Sequence, residues 1–194
     1  GSSKRNIKNV DLKNNRKNTW GTGLIFNHEI DSIQNVTVAA GFTRQISENA
    51  NKTAYYSNAY ALGLAYNFVH TTYGLDLAHK DTKNKGGAGN KVKNNEVTAV
   101  IRQGLNEDWN VYAMYSYKTE KTLPVGSAYS KSTDRQFLVG TEYYVFKQGS
   151  VKVKPFIEWQ ATRTKYENTF DKDSGKQLDR SRDFKTVIGL RAYW

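Results

Sequence analysis

The strongest constraint on the fold of this chain is a two-residue alternation of apolar and polar side chains. It is clearest in residues 184–194 (FKTVIGLRAYW), where Ile188 and Leu190 fall on one face and Lys185 and Arg191 on the other. Successive side chains of a β-strand point to opposite faces, and a strand with charges on its second face needs water there. A lipid-facing exterior and a wet interior satisfy this pattern, which therefore predicts a strand of a transmembrane β-barrel.

The same alternation recurs along the chain in segments of similar length. Each is about the ten residues that a tilted strand needs to cross a bilayer, and no helical periodicity is comparably strong. We therefore predict an all-β fold over residues 18–194, a transmembrane antiparallel up-and-down β-barrel. The nine predicted strands are 18–27, 35–44, 57–69, 72–80, 95–105, 110–120, 134–146, 151–164 and 182–194.

The links between these segments alternate between short and long. The long ones lie near residues 45–56, 81–94, 121–133 and 165–181. Bacterial transmembrane barrels have tight periplasmic turns and longer extracellular loops, so the alternation also predicts which end of the sheet faces outward.

Nine strands conflict with the even strand number of bacterial single-chain barrels. Closure therefore needs either a tenth strand within residues 4–14 or further strands before the first one. We favour the second alternative, since Ile7, Val10 and Leu12 do not alternate cleanly. Residues 1–17 read as a basic segment like an extracellular loop, and residues 1–3 have the composition of a cloning remnant.

Catalytic and metal chemistry find little support in the sequence. The chain has no cysteine, which removes disulfides, thiolate metal sites and cysteine nucleophiles together. Its histidines, His28, His70 and His79, are far apart and match no common catalytic or metal-ligand spacing. The glycine-rich residues 86–89 precede no helix and read as a loop tip, not a phosphate cradle. We expect no enzymatic activity, no cofactor and no metal.

The positive charge is concentrated in two segments. Residues 1–17 hold six basic residues against one acidic, and residues 81–95 hold four against one, so together they supply eight of the net +11 charges. Such exposed loops attract the phosphates of lipopolysaccharide, although a merely solvated loop set explains them equally well. Nucleic acid would also fit the charge, but the aromatic residues lie mostly on the apolar face. We therefore expect no nucleic-acid partner.

The phase of the alternation assigns individual side chains to the two faces. Charges of both signs on a wet wall allow water and small polar solutes to pass, whereas in a narrow barrel they would pair and plug it. Candidates for the lumen are Asp76, Lys80, Arg102, Lys118, Glu142, Glu158, Gln160, Lys185 and Arg191. Candidates for the lipid-facing aromatic girdle are Tyr60, Tyr66, Phe68, Tyr115, Tyr117, Trp159 and Trp194.

Several stretches resemble one family. Residues 56–66 (YSNAYALGLAY) with 73–77 (YGLDL) are similar to paired strands in the second half of Gram-negative general porins. Residues 105–112 (LNEDWNVY) resemble the turn before a late strand of those porins, and residues 189–194 (GLRAYW) their closing strand. The nearest likeness is to the Haemophilus-type porins of the Pasteurellaceae, over about residues 18–194 and in their carboxy-terminal portion.

This resemblance implies a protein of the Gram-negative outer membrane. Porins of that family are sixteen-stranded homotrimers with a pore narrowed by an inward-folded third loop, while this chain is about half the expected length and has no segment assignable to that loop.

Two functions remain open from the sequence. The first is a porin, or part of one, that lets small hydrophilic solutes and ions diffuse through a water-filled barrel. The second is a small plugged outer-membrane barrel whose basic extracellular loops bind lipopolysaccharide or a partner. The number of strands at closure separates them, because about ten strands leave little lumen once side chains enter.

Overall fold

The computed structural model describes residues 14–49, 54–84, 90–124, 128–170 and 175–194. These ranges form strands joined by turns and links. The strands are β1 Asn14–Asp31, β2 Gln34–Asn49, β3 Ala54–Phe68, β4 Thr71–Asn84, β5 Lys91–Gly104, β6 Trp109–Leu123, β7 Ser130–Tyr143, β8 Phe146–Gln148, β9 Val151–Glu167 and β10 Arg180–Tyr193. Within these ranges no helix is long and apolar enough to cross a membrane.

The strands form one antiparallel sheet in which each long strand pairs with the next along the chain. The short strand β8 follows β7 after Tyr144 and Val145, and both pair with β9, so the two act as one interrupted strand. The all-β, up-and-down prediction is therefore confirmed. The sheet begins at β1 and ends at β10, and in the described ranges no pairing joins these two edges. The sheet is thus open and does not itself close a barrel.

Most strands run further than the apolar alternation predicts. β2 continues to Asn49 and β3 begins at Ala54, while β4 continues to Asn84. A ladder of backbone hydrogen bonds does not require apolar side chains, so pairing goes on after the apolar pattern has ended. At the other end of the chain β1 begins at Asn14, whereas the rest of the basic segment, nearly all of the proposed strand in 4–14, and the glycine-rich 86–89 lie outside the described residues.

Tight turns gather at one end of the sheet. After β1, the Asp31 carboxylate accepts hydrogen bonds from the Ile33 backbone N–H (2.9 Å) and the Gln34 side-chain amide (2.8 Å). After β5, the Asn106 side-chain oxygen accepts from the backbone N–H groups of Asp108 (2.9 Å) and Trp109 (2.8 Å). Such Asx turns replace backbone hydrogen bonds that the reversing chain lacks, and they fix the register of the strands that follow.

The register gives the sheet two unlike faces. Residues directly opposite on antiparallel strands share a face. Leu62 lies opposite Ala40 and Leu77, and Trp159 lies opposite Val139 and Thr186. Followed from β1 to β10, this phase gives a face that is continuously apolar in its middle and carries cations near the long-link end of β7, β9 and β10. We call it the apolar face, and the alternate phase gives the polar face. In the described part of the chain no hydrophobic side chain is buried, and large ones stay open, Leu190 at 70%.

Candidate functional site

The nine residues predicted to line a lumen all lie on the polar face. The row Asp76, Thr98, Ser116 and Gln136 crosses β4 to β7 by direct pairing, and the unbroken register of β4 to β10 places the others in the same phase. These nine are Asp76, Lys80, Arg102, Lys118, Glu142, Glu158, Gln160, Lys185 and Arg191. Sharing a face is geometry, and their role as lumen residues stays a prediction.

The predicted girdle aromatics take the opposite phase. Tyr60, Tyr66, Phe68, Tyr115, Tyr117 and Trp159 lie on the apolar face, and Trp194 follows the last paired residue of β10. Ring contacts connect neighbouring strands on this face. The Phe42 and Tyr60 ring centroids are 5.0 Å apart, and those of Tyr66 and Tyr73 are 6.2 Å apart. Aromatic rings thus occur at two levels of the apolar face.

Four of the nine predicted lumen residues belong to one ion cluster centred on the Glu142 carboxylate. Glu142 Oε1 is 2.7 Å from Arg102 Nη2 and 2.8 Å from Lys154 Nζ. Its Oε2 is 2.6 Å from Arg191 Nη1, and Arg191 Nη2 donates to Glu158 Oε1 at 2.7 Å. We call these five residues the Glu142 cluster. The cluster joins side chains from β5, β7, β9 and β10 near the tight-turn end of the sheet.

A glycine opposite a tyrosine makes room for a hydrogen bond into this cluster. Tyr112 on β6 is paired with Gly140 on β7, and its hydroxyl donates to Glu158 on β9 at 2.7 Å. A Cβ at position 140 would lie 2.5 Å from the Tyr112 ring, so only glycine lets that ring cross β7. Gly189 serves Phe156 in the same way, since a Cβ there would lie 2.6 Å from the Phe156 ring.

The Glu142 cluster contains three cations and two carboxylates. The Glu142 and Lys154 side chains are only 3% and 6% exposed, whereas the side chains of Arg102 and Arg191 remain partly exposed. Arg191 also lies over the Phe156 ring, 4.2 Å from its centroid. The buried charges are therefore compensated, and the cluster can cross-link strands and set a local field.

The centre of the polar face is more open. Asp76, Glu96, Thr98 and Ser116 help to line a cavity of about 350 Å³. Lys118 approaches Glu96 at 3.8 Å with both side chains close to half exposed. In the described part of the chain, Asp76 makes no ion pair. This region therefore presents hydrated charges of both signs.

The remaining polar-face residues stand outside the Glu142 cluster. Lys185 pairs with Asp183 at 3.2 Å, and the Gln160 side-chain amide donates to Thr162 at 3.2 Å. Lys80 makes no ion pair with any described residue. The residue that the sequence reasoning missed is Lys154. Its phase with Glu158 was readable from the alternation, but nothing local distinguished it from other lysines.

The histidines lie apart on the sheet. His79 Nδ1 is 2.7 Å from Asn95 Oδ1, the His28 ring stacks on Phe26 at 6.2 Å, and His70 occupies the turn between β3 and β4. In the ranges that the structure covers, no three His, Cys, Asp or Glu residues are grouped so that they could hold a metal ion.

The fold and the site together define the class of this protein. It is an all-β protein built on one antiparallel up-and-down sheet, with one exposed apolar face and one charged polar face. Comparison with protein-family models, with curated proteins and with solved structures finds no match to this chain.

Proposed function

We propose that this chain is a porin of the Gram-negative outer membrane, or part of one. Its sheet forms all or part of the wall of a water-filled β-barrel, through which small hydrophilic solutes and ions diffuse passively. The single observation that carries the proposal is the exposed apolar face, which continues from β1 to β10 while no described hydrophobic side chain is buried. The same proposal includes membership of the general-porin family and assembly into a homotrimer, as the sequence resemblance implies.

Lipid is the environment that suits the apolar face. Monomeric soluble proteins rarely expose contiguous apolar patches larger than a few hundred Å². The two levels of aromatic contact also fit, since Tyr60 and Tyr66 on β3 are separated by about 20 Å along the strand. Outer-membrane barrels carry an apolar band about 25 Å tall between two aromatic girdles.

Water suits the polar face. Covering it with a second layer of protein would bury Asp76, Lys80 and the Glu96–Lys118 pair, and taking charges out of water costs several kcal/mol per ion. The open cavity over β4 to β7 is lined by two carboxylates, two hydroxyls and an amide, together with Ala78 and Met114. A hydrated lumen leaves these charges solvated.

Membrane insertion adds one requirement. Every backbone polar group in the hydrocarbon region needs a hydrogen-bond partner, so the free edges of β1 and β10 have to be paired in the assembled protein. They pair with each other in a small barrel, or with additional strands in a larger one. The first arrangement leaves a narrow lumen and the second an aqueous channel.

The Glu142 cluster favours a second candidate function. Its side chains extend from four strands and occupy the tight-turn end of the polar face. In a barrel of about ten strands such a cluster would plug the lumen. The protein would then be a closed outer-membrane barrel whose loops bind lipopolysaccharide or a partner.

Neighbouring substitutions on the two faces test the proposal. The matched pair is Asp76→Arg on the polar face and Leu77→Arg on the apolar face, both on β4. We expect wild-type protein refolded into planar bilayers to give stepwise ion conductance. Asp76→Arg should still insert and should shift the reversal potential in a salt gradient toward anion selectivity. Leu77→Arg should impair insertion, since arginine at the bilayer midplane costs about 2–4 kcal/mol.

Each outcome of this experiment has a separate meaning. Folded, inserted protein that stays electrically silent would exclude a porin and favour the plugged barrel. Equal insertion of Asp76→Arg and Leu77→Arg would contradict the assignment of the apolar face to lipid.

A further inference from the structure

Three arginines stand in a row across three neighbouring strands of the apolar-phase face. Arg135 on β7 lies directly opposite Arg163 on β9, and Arg163 lies directly opposite Arg182 on β10. We call these residues the arginine row. Like charges placed directly opposite each other on adjacent strands destabilise a sheet.

More cations lie one level further toward the long-link end. Lys165 pairs with Arg180 and with Thr133, and Lys131 lies beyond Thr133 on β7. Lys131, Lys165 and Arg180 form, with the arginine row, the basic patch. Most of this patch lines a cavity of about 340 Å³. Five of the six cations, all but Arg182, therefore surround one concavity.

Among the described residues, two carboxylates contact the basic patch, too few to neutralise its six cations. Glu167 lies 3.8 Å from both Lys131 and Lys165, and Asp179 lies 3.7 Å from Arg180. No ion pair reaches the arginine row from any described carboxylate. The Arg135 guanidinium lies over the Tyr117 ring, 6.0 Å from its centroid, and this ring carries no formal charge. An external anion would relieve the repulsion within the row.

The position of the arginine row indicates the source of that anion. On the same face, the adjacent row toward the tight turns is apolar: Phe137 lies opposite Ala161, and Ala161 lies opposite Phe184. Each arginine is two residues from this apolar row, or about 7 Å along its strand. If the apolar face contacts the hydrocarbon of the outer leaflet, the arginine row lies at the level of the lipid headgroups.

We propose that the basic patch binds the phosphate groups of an anionic lipid headgroup in the outer leaflet. Guanidinium groups match phosphate oxygens with two parallel hydrogen bonds, which makes arginine well suited to this ligand. Two strand spacings separate Arg135 from Arg182, or about 10 Å. That distance suits a headgroup that carries two phosphates. The inference rests on the proposed outer-membrane function, because only that location brings lipid to this face.

Lipid binding by charge-matched variants tests the inference. The first variant is Arg135→Gln/Arg163→Gln/Arg182→Gln. Its control, Lys80→Gln/Lys118→Gln/Lys185→Gln, removes the same charge from the polar face. Folded protein in a neutral detergent is titrated with diphosphoryl lipid A, with the same lipid lacking phosphate, and with inorganic pyrophosphate.

We expect wild type and the lysine control to bind diphosphoryl lipid A with Kd values within about twofold of each other, and the arginine variant at least about tenfold more weakly. The phosphate-free lipid should bind all three proteins weakly and equally. Equal binding of diphosphoryl lipid A by all three proteins would overturn the proposal. Binding of pyrophosphate as tight as that of the lipid would overturn the lipid source, leaving a site for soluble phosphate.

A separate measurement keeps this test independent of the porin proposal. Conductance of each variant is recorded in planar bilayers after folding has been verified by heat-modifiable gel mobility. An arginine variant that conducts and keeps the wild-type affinity for diphosphoryl lipid A contradicts only the proposed lipid site, whereas protein that folds but never inserts contradicts the outer-membrane proposal. Should the triple variant not fold, Arg163→Gln alone replaces it, because Arg163 is the centre of the row, and the same comparison applies.

Discussion

Neutralising Glu142 should destabilise the sheet more than neutralising any exposed carboxylate of the polar face. Glu142→Gln keeps the size of the side chain but removes the charge that Arg102, Lys154 and Arg191 share. After the change, Glu158 is the one carboxylate left in the Glu142 cluster. The largest loss of compensation falls on the Lys154 charge, because the Lys154 side chain is nearly as buried as that of Glu142.

The expected magnitude follows from this difference in burial. Removing one partner of a buried ion pair costs about 3–5 kcal/mol, since the other charge is left uncompensated. Arg102 and Arg191 are 44% and 36% exposed, so water screens their loss. The buried Lys154 contact therefore dominates, and we expect a loss of about 3 kcal/mol. The exposed pair Glu96–Lys118 gives a matched control, for which Glu96→Gln should cost about 0–1 kcal/mol.

The assay is equilibrium urea unfolding in detergent micelles, followed by tryptophan emission. A double-mutant cycle with Lys154→Met adds a second criterion, because Glu142→Gln/Lys154→Met leaves no buried lysine charge and should recover part of the loss. A difference between Glu142→Gln and Glu96→Gln below about 1 kcal/mol would refute the reasoning, because it would mean that the cluster is hydrated like an exposed pair.

Two further predictions concern a glycine and a turn. Gly140→Ala should lower the free energy of unfolding by about 1–3 kcal/mol, since the new Cβ would displace the Tyr112 ring. The control Gly41→Ala should change it little, because a Cβ there would meet only a backbone oxygen 3.8 Å away. Equal urea midpoints of the two variants would show that the Tyr112 ring relocates freely. The hydrogen bond to Asp108 raises the pKa of Lys147 in the folded protein. The stability that this hydrogen bond contributes is therefore complete below the ordinary lysine pKa of about 10.4, and it is lost as the pH rises through the raised pKa of the folded state. Unfolding midpoints measured from pH 8 to 12 should show this alkaline loss in wild type and not in Lys147→Met, and identical profiles would contradict it.

The sequence alone determined the strands and their faces. Alternation in residues 184–194 predicts which side chains of β10 share a face, and the same argument placed all nine lumen candidates in one phase. It could do so because the side-chain period of a strand is a local property of the backbone. The tight turns were equally readable, since Asp31 and Asn106 make hydrogen bonds with residues adjacent in the chain. Strand ends were less accurate, because backbone pairing continues where the apolar pattern stops.

Only the tertiary structure decided which side chains meet. Arg102, Glu142 and Arg191 lie far apart in the sequence, and their contacts depend on the register of five successive strands. Nothing in the sequence distinguishes Arg135 and Arg163 from the other arginines, and only the pairing of β7 with β9 places them directly opposite each other. A slip of one residue between two strands would keep each alternation intact and yet send every side chain of a strand to the other face. The two-residue period of the side chains is therefore a property of each segment by itself. The Glu142 cluster and the arginine row, in contrast, form only after turns and strand pairing have fixed the register.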